Sequence, residues 1–164
     1  VIIRPATESD APRLHELYVA NRAWLEPFQP DGDDAERRYR IDYHREWVKR
    51  PGRYLILDDG EVVGGLSLVT TPDDAIRSAM LGYWVAEDRG GRGLATRAVR
   101  DALELAFGKL GLHRVEAGTR VDNARSQRVL EKTGFTRVGL LRAHLLIGGE
   151  WCDHYLYERI ATDP

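Results

Sequence analysis

The 164-residue chain has a single cysteine, Cys152, which excludes an intrachain disulfide framework and any multi-cysteine zinc site. One thiol suits a reducing compartment, so the cytoplasm is the expected location. Long apolar runs are also missing, and none approaches the length of a membrane span. The opening Val1-Ile2-Ile3-Arg4-Pro5 meets a proline and then acids too early to form the apolar stretch of a secretory signal. An excess of charge is lacking as well: 24 Lys and Arg face 26 Asp and Glu, for a net −2. Nothing global therefore recruits nucleic acid or anionic lipid, and neither partner is expected. There is no internal repeat, low-complexity tract or Pro/Gly/Ser linker, so residues 1–164 are expected to form one domain. What is present, 43% hydrophobic and 30% charged residues, is enough apolar material for an ordinary folded core.

The apolar periodicity alternates between strand and helix. Ile2 and Ile3 open a short strand, Thr7, Ser9 and Asp10 supply caps, and Leu14, Leu17, Tyr18 and Trp24 trace one helical face. Pro27 and Pro30 end that helix. From Asp33 to Arg50, Tyr39, Tyr43 and Trp47 recur every four residues amid dense mixed charge, which predicts a second, amphipathic helix. Arg53 to Asp58 and Glu61 to Val69 read as strands across an Asp59-Gly60 hairpin turn, with a further strand from Met80 to Val85. Leu94 to Leu110 is a helix with a small apolar face (Ala95, Ala98, Val99, Ala102, Ala106), His113 to Thr119 a strand, and Ala124 to Thr133 a helix stopped by Gly134. Two long strands, Thr136 to Ile147 and Trp151 to Ile160, flank Gly148-Gly149. Crossover helices after the fourth and fifth strands predict parallel pairing there and antiparallel pairing elsewhere, hence a mixed α/β sheet.

Between the fourth strand and the small-faced helix runs Glu87-Asp88-Arg89-Gly90-Gly91-Arg92-Gly93-Leu94-Ala95-Thr96. Three glycines in four positions remove the Cβ atoms that keep a ligand off the backbone, and the following helix offers unpaired N–H groups and a positive dipole end. That combination favours a diphosphate, and the bland alternative is a tight strand-to-helix turn with no ligand. Arg89 and Arg92 either add charge-assisted contacts or form a solvated cluster with Glu87 and Asp88. A nucleoside-triphosphate loop needs Lys and then Ser or Thr after its last glycine, where this chain has Leu94-Ala95. The dinucleotide fingerprint lacks its third glycine, since Thr96 stands there. Asn123 precedes a helical run and Ser126 is its third residue, a pattern equally suited to a helix cap with a polar first turn and to a functional pair.

Taken together, Ile3-Arg4-Pro5-Ala6-Thr7-Glu8-Ser9-Asp10, Asn21-Arg22, Gly82-Tyr83-Trp84-Val85, the glycine turn and Asn123-x-x-Ser126-x-x-Val129-Leu130-Glu131-Lys132-x-Gly134-Phe135 resemble the GNAT superfamily of acyl-CoA N-acyltransferases, and within it the RimJ/RimL-like proteins. The likeness covers nearly the whole chain. It implies a mostly antiparallel sheet flanked by helices, with a splayed parallel pair of central strands. It implies an acetyltransferase whose acetyl-CoA is a cosubstrate, held at Val85, Gly91, Arg92, Gly93, Leu94, Ala95, Thr96, Asn123 and Ser126, without a metal. One position departs: Gly90 stands where the family usually has Gln or Arg.

The resemblance also implies direct attack of a primary amine on the thioester, with Ser126 supplying a proton to the leaving thiolate and the Val85 N–H meeting the oxyanion. The acceptor is expected to be a protein or peptide N-terminus, or else a small amine; a CoA-binding sensor without activity is the alternative of another class. Similar proteins are frequently homodimers. Glu87 is the leading base candidate, with His144 and Asp153 beside it, and Trp24 and Phe28 are expected at the acceptor opening. Cys152 is read as a packed thiol, and His144, Cys152 and His154 as too sparse for a metal site.

Overall fold

The computed structural model describes residues 1–32 and 35–164. Among these described residues seven strands form one sheet in the order β1-β2-β3-β4-β5-β7-β6: β1 (Ile3–Pro5), β2 (Arg53–Asp58), β3 (Glu61–Thr70), β4 (Ser78–Val85), β5 (Arg114–Arg120), β6 (Thr136–Ile147) and β7 (Glu150–Ile160). Both hairpin dipeptides adopt the left-handed backbone that two-residue turns require, with φ of 49° and 84° at Asp59 and Gly60 and of 59° and 80° at Gly148 and Gly149.

Of the two parallel pairings expected, one forms. β4 and β5 run parallel, but β7 inserts between β5 and β6, antiparallel to both. The tight turn at Gly148-Gly149 folds β7 back onto β6, and β7 then covers the β5 edge that β6 would have taken. The β4–β5 ladder is itself short. Only Ser78, Ala79 and Met80 pair, with Arg114, Val115 and Glu116, although β4 runs on to Val85 and β5 to Arg120. Beyond Met80 and Glu116 the two strands diverge, and this splay opens the centre of the sheet.

Helices α4 (Leu94–Glu104) and α5 (Ala124–Lys132) cover one face of the sheet; α1 (Ala11–Ala20) and α3 (Ile41–Trp47) cover the other. Ala98, Val99, Ala102 and Ala106 are fully buried, so α4 lies close against the strands through its small face. Leu14, Leu55, Val48 and Ala11 form a smaller core beneath α1. At its end α4 widens into a π turn, with the Leu110 N–H reaching the Leu105 carbonyl at 2.9 Å. Among the described residues no helix is long and apolar enough to cross a membrane.

The two N-terminal helices are shorter than the periodicity predicts. α1 stops at Asn21, whose side-chain amide donates to the Leu17 carbonyl at 2.8 Å and whose Oδ1 accepts the Glu87 N–H at 2.8 Å. A separate turn, α2 (Arg22–Leu25), then carries Trp24. The helix expected from Asp33 to Arg50 is confined to α3, preceded by a 3₁₀ turn at Arg37–Tyr39 and an extended Arg40; Asp33 and Asp34 lie outside the described residues. Two histidines explain the break. His44 Nε2 bonds the Arg38 carbonyl at 2.9 Å and His15 Nε2 the Tyr39 carbonyl at 3.0 Å, taking acceptors that a continuous helix would use internally.

Candidate active site

The splay gives the sheet two cavities, one on each face. The first, of about 470 Å³, lies on the α4/α5 side and is bounded by the glycine turn, the start of α4 and the outer face of α5. Gly91 and Gly93 have φ of 74° and 75°, a conformation that glycine alone adopts without strain, and a Cβ added to either would meet nothing within 4 Å. The first helical bond of α4 is Arg97 N–H to the Gly93 carbonyl, which leaves the amides of Leu94, Ala95 and Thr96 without a helical acceptor. Leu94 to Thr96 line the cavity together with Arg125, Arg128 and Lys132, and its described lining contains no carboxylate. Bare amides at a helix N-terminus, open space above glycines and surplus cations form a cradle that fits a diphosphate.

The second cavity, of about 680 Å³, lies on the α1/α3 side, walled by Tyr18, Tyr43, Trp47 and Trp84 and floored by Gly82 and Gly118. The floor is bare where β4 and β5 part, and a Cβ built on Gly118 would meet nothing within 4 Å. Glu116, at the closed end of the splay, is the one carboxylate in the described lining.

Among the described residues, Phe28, Gln29, Tyr83, Trp84, Asn123 and Ser126 border both cavities. Asn123 caps α5 by accepting the Ser126 N–H at 3.2 Å, which fixes the first helical turn at the mouth of the splay. Ser126 Oγ lies 3.0 Å from Tyr83 Oη. Burial pushes the Tyr83 phenol up to about 12, with Tyr157 adding to the shift and the Ser126 hydrogen bond opposing it. At the end of β4 the Ala86 N–H donates to the Val63 carbonyl at 2.9 Å, so the alternate residue Val85 turns its backbone away from β3 into the splay. The Val85 carbonyl there accepts the Trp24 indole N–H at 3.1 Å, and the Arg125 guanidinium stacks 4.3 Å over the same indole.

Several sequence candidates are placed elsewhere. Glu87 borders neither cavity; it is exposed, and its N–H is held by Asn21. Asp153 borders neither cavity, and its Oδ1 accepts the Ala143 N–H at 2.7 Å. Arg92 points its guanidinium away from the cradle to the buried Asp58 at 2.6 Å, and Arg89 joins it at 3.1 Å while also pairing with Glu61 and, at 3.8 Å, with the expected Asp88, so that Asp58 and Glu61 take the place of Glu87 in the cluster. Trp24, expected at the acceptor opening, lines the glycine-turn cavity, whereas Phe28 borders both.

His144 is brought into the second cavity by an irregularity in β6. Residues 142–144 bulge opposite Asp153, Ala143 takes φ 46°, and the exposed His144 ring stands 5.4 Å from the buried His154 ring. Cys152 is buried, and among the described residues no three His, Cys, Asp or Glu side chains gather as a metal site.

Sequence alone assigns no site role to Tyr83, which enters it only within the Gly82-Tyr83-Trp84-Val85 motif, nor to Gly118 and the basic face of α5. The last had a signal: Arg125, Arg128 and Lys132 recur at helical spacing on the side opposite the buried Leu130.

The acetyltransferase (GNAT) domain family matches residues 1–136. The probable N-acetyltransferase YjcK of Bacillus subtilis is 34% identical, over 99% of this chain and 95% of its own. The ribosomal protein uS5-alanine N-acetyltransferase of Escherichia coli is 27% identical, over 95% and 85%. Among solved structures, Mycobacterium smegmatis RimJ in complex with CoA-disulfide superposes with a TM-score of 0.87 at 35% identity, covering 97% of this chain and 81% of that one. With the domain match, the relatives and the splayed sheet in agreement, the chain belongs to the GNAT acetyltransferase family and is an acyl-CoA-dependent N-acetyltransferase.

Proposed function

We propose that this N-acetyltransferase acetylates the α-amine of a protein or peptide. Acetyl-CoA supplies the activated acetyl thioester. Leu94, Ala95 and Thr96 would hold its diphosphate through their amides, with Gly91 and Gly93 leaving the approach open and Arg125, Arg128 and Lys132 balancing the charge. Arg92 contributes backbone alone, since its side chain serves Asp58. Asn123 and the exposed edge of β4 border the path toward the splay, where the Val85 N–H would meet negative charge building on the carbonyl oxygen. Ser126 gives its hydroxyl proton to the departing sulfur, and His144 takes the proton that the attacking amine loses, passing it to water at the exposed edge of the cavity.

The observation that carries the choice of acceptor is the acceptor cavity's shortage of carboxylates. Its one described carboxylate, Glu116, sits at the closed end of the splay, away from the open end at Ser126. Such a site suits an amine that needs little help to become neutral. At pH 7 an α-amine of pKa about 8 is roughly one-tenth neutral, whereas a lysine of pKa about 10.4 is neutral in only about one molecule in a few thousand. Two curated relatives act on ribosomal proteins, the uS5-alanine enzyme and the ribosomal-protein-serine acetyltransferase of Escherichia coli, and a solved neighbour is the L7/L12 α-N-acetyltransferase RimL.

A panel of peptides varying in their first residue tests this, run beside N-blocked lysine peptides, polyamines and amino sugars, with acetylation read as a mass shift. Modification of free N-termini ahead of every other class is expected. Turnover of a small amine with the peptides left unmodified would overturn it.

A further inference from the structure

We propose that Tyr83 is the positioning residue for Ser126, donating its phenolic hydrogen to Ser126 Oγ so that the serine's own proton is left free for the departing sulfur. The inference rests on the reading of Ser126 as the proton donor given above.

A serine hydroxyl has one proton and two acceptor sites, and its orientation is set by whatever it bonds. In the first turn of α5 the hydroxyl rotates freely unless a neighbour fixes it. The neighbour comes from β4. Past Met80 that strand has lost its β5 partner, so Tyr83 faces α5, and its ring packs against the main core. Tyr83 Oη stands 3.0 Å from Ser126 Oγ and 3.4 Å from the Ser126 carbonyl oxygen, so the shorter contact is the one to the hydroxyl. A phenol pushed up to about 12 keeps its proton at every pH where an amine acceptor reacts, so it stands as a permanent donor. Occupying one Ser126 acceptor site in this way turns the serine O–H outward, and a chain of two hydroxyls polarises the outer one.

Proton transfer remains a single event. The Ser126 O–H bond breaks as the S–H bond forms, while Tyr83 stabilises the charge left on Oγ until water in the cavity returns a proton. Tyr83 contributes geometry and a hydrogen bond and is never itself ionised.

The test compares Tyr83→Phe, Ser126→Ala and the double variant by steady-state kinetics, with coenzyme A affinity read by titration and folding by thermal unfolding. Tyr83→Phe keeps the packed ring and removes only the hydroxyl. It should lower kcat by about 10- to 100-fold, a share of a general acid's usual contribution, with KM for acetyl-CoA and coenzyme A affinity nearly unchanged. The double variant should be no slower than Ser126→Ala, because Tyr83 acts through that hydroxyl. Wild-type kcat in Tyr83→Phe, or losses that multiply in the double variant, would overturn the role of Tyr83 while leaving Ser126 in place. Wild-type kcat in Ser126→Ala would instead remove the underlying reading of the donor. A loss in Tyr83→Phe larger than that in Ser126→Ala would also overturn the proposal, by making Tyr83 the donor.

Discussion

Replacing Gly118 by valine separates the two cavities by experiment. Gly118 lies on β5 just past the last β4 pairing, its backbone is not in the left-handed region, and an added Cβ has open space within 4 Å. A glycine inside a strand costs roughly 0.5–1 kcal/mol relative to alanine, and valine is well suited to strands. The variant should therefore fold at least as well as the parent, with Tm unchanged or raised by up to about 2–4 °C for a chain of this size. Its side chain would project from the floor of the α1-side cavity, which Gly118 lines, and not into the α4-side cavity, which it does not. Forcing an acceptor past the added bulk should cost about 1–3 kcal/mol, by analogy with overpacking in cores. At about 1.4 kcal/mol per decade, KM for the amine should rise roughly 5- to 150-fold. Thiol release from acetyl-CoA at varied acceptor concentration measures that change, and calorimetric titration with coenzyme A should give the parent affinity. A folded variant with unaltered acceptor KM, or one that loses coenzyme affinity, would refute the assignment of the cavities.

Ser126→Ala should lower turnover by about 10²- to 10⁴-fold with coenzyme A affinity held, and single-turnover rates with titration will show whether the loss lies in chemistry or in binding. Gly93→Val should act on the other step. A side chain at φ 75° costs roughly 1–2 kcal/mol, which leaves a folded protein, but it also covers the amides after the turn, so coenzyme affinity should fall by more than about tenfold, and retained affinity would place the diphosphate elsewhere. Burial, with His15 beside it, pushes His44 down from 6.5 to about 4 against the opposing hydrogen bond to the Arg38 carbonyl. Because the folded value is the lower one, the neutral ring stabilises the fold above pH 6.5, and that contribution, roughly 3 kcal/mol, is lost as pH falls toward 4. Denaturant unfolding at pH 7 and pH 4.5 should show a steeper loss for the parent than for His44→Gln, and equal slopes would contradict the burial effect.

Local chemistry alone determined much of this protein. The glycine turn before α4, the dipeptides that reverse the two long hairpins, the small face of α4 and the Gly134 stop after α5 are consequences of φ freedom and side-chain size, and each stands where the chain order places it. The candidate cradle was legible for the same reason, because a phosphate site made of backbone amides depends on which side chains are absent. Tertiary structure decided whatever depends on partners distant in sequence. Asn21 ends α1 because it meets Glu87, His15 and His44 interrupt the helix before Ile41 by capturing its carbonyls, and β7 rather than β6 lies beside β5. Glu87 looked well placed along the chain, yet the turn after β4 carries it away from both cavities, while a bulge that no periodicity reveals delivers His144. The pairing of Tyr83 with Ser126, 43 residues apart, exists only because β4 parts from β5 and leaves a strand side chain facing the first turn of a helix.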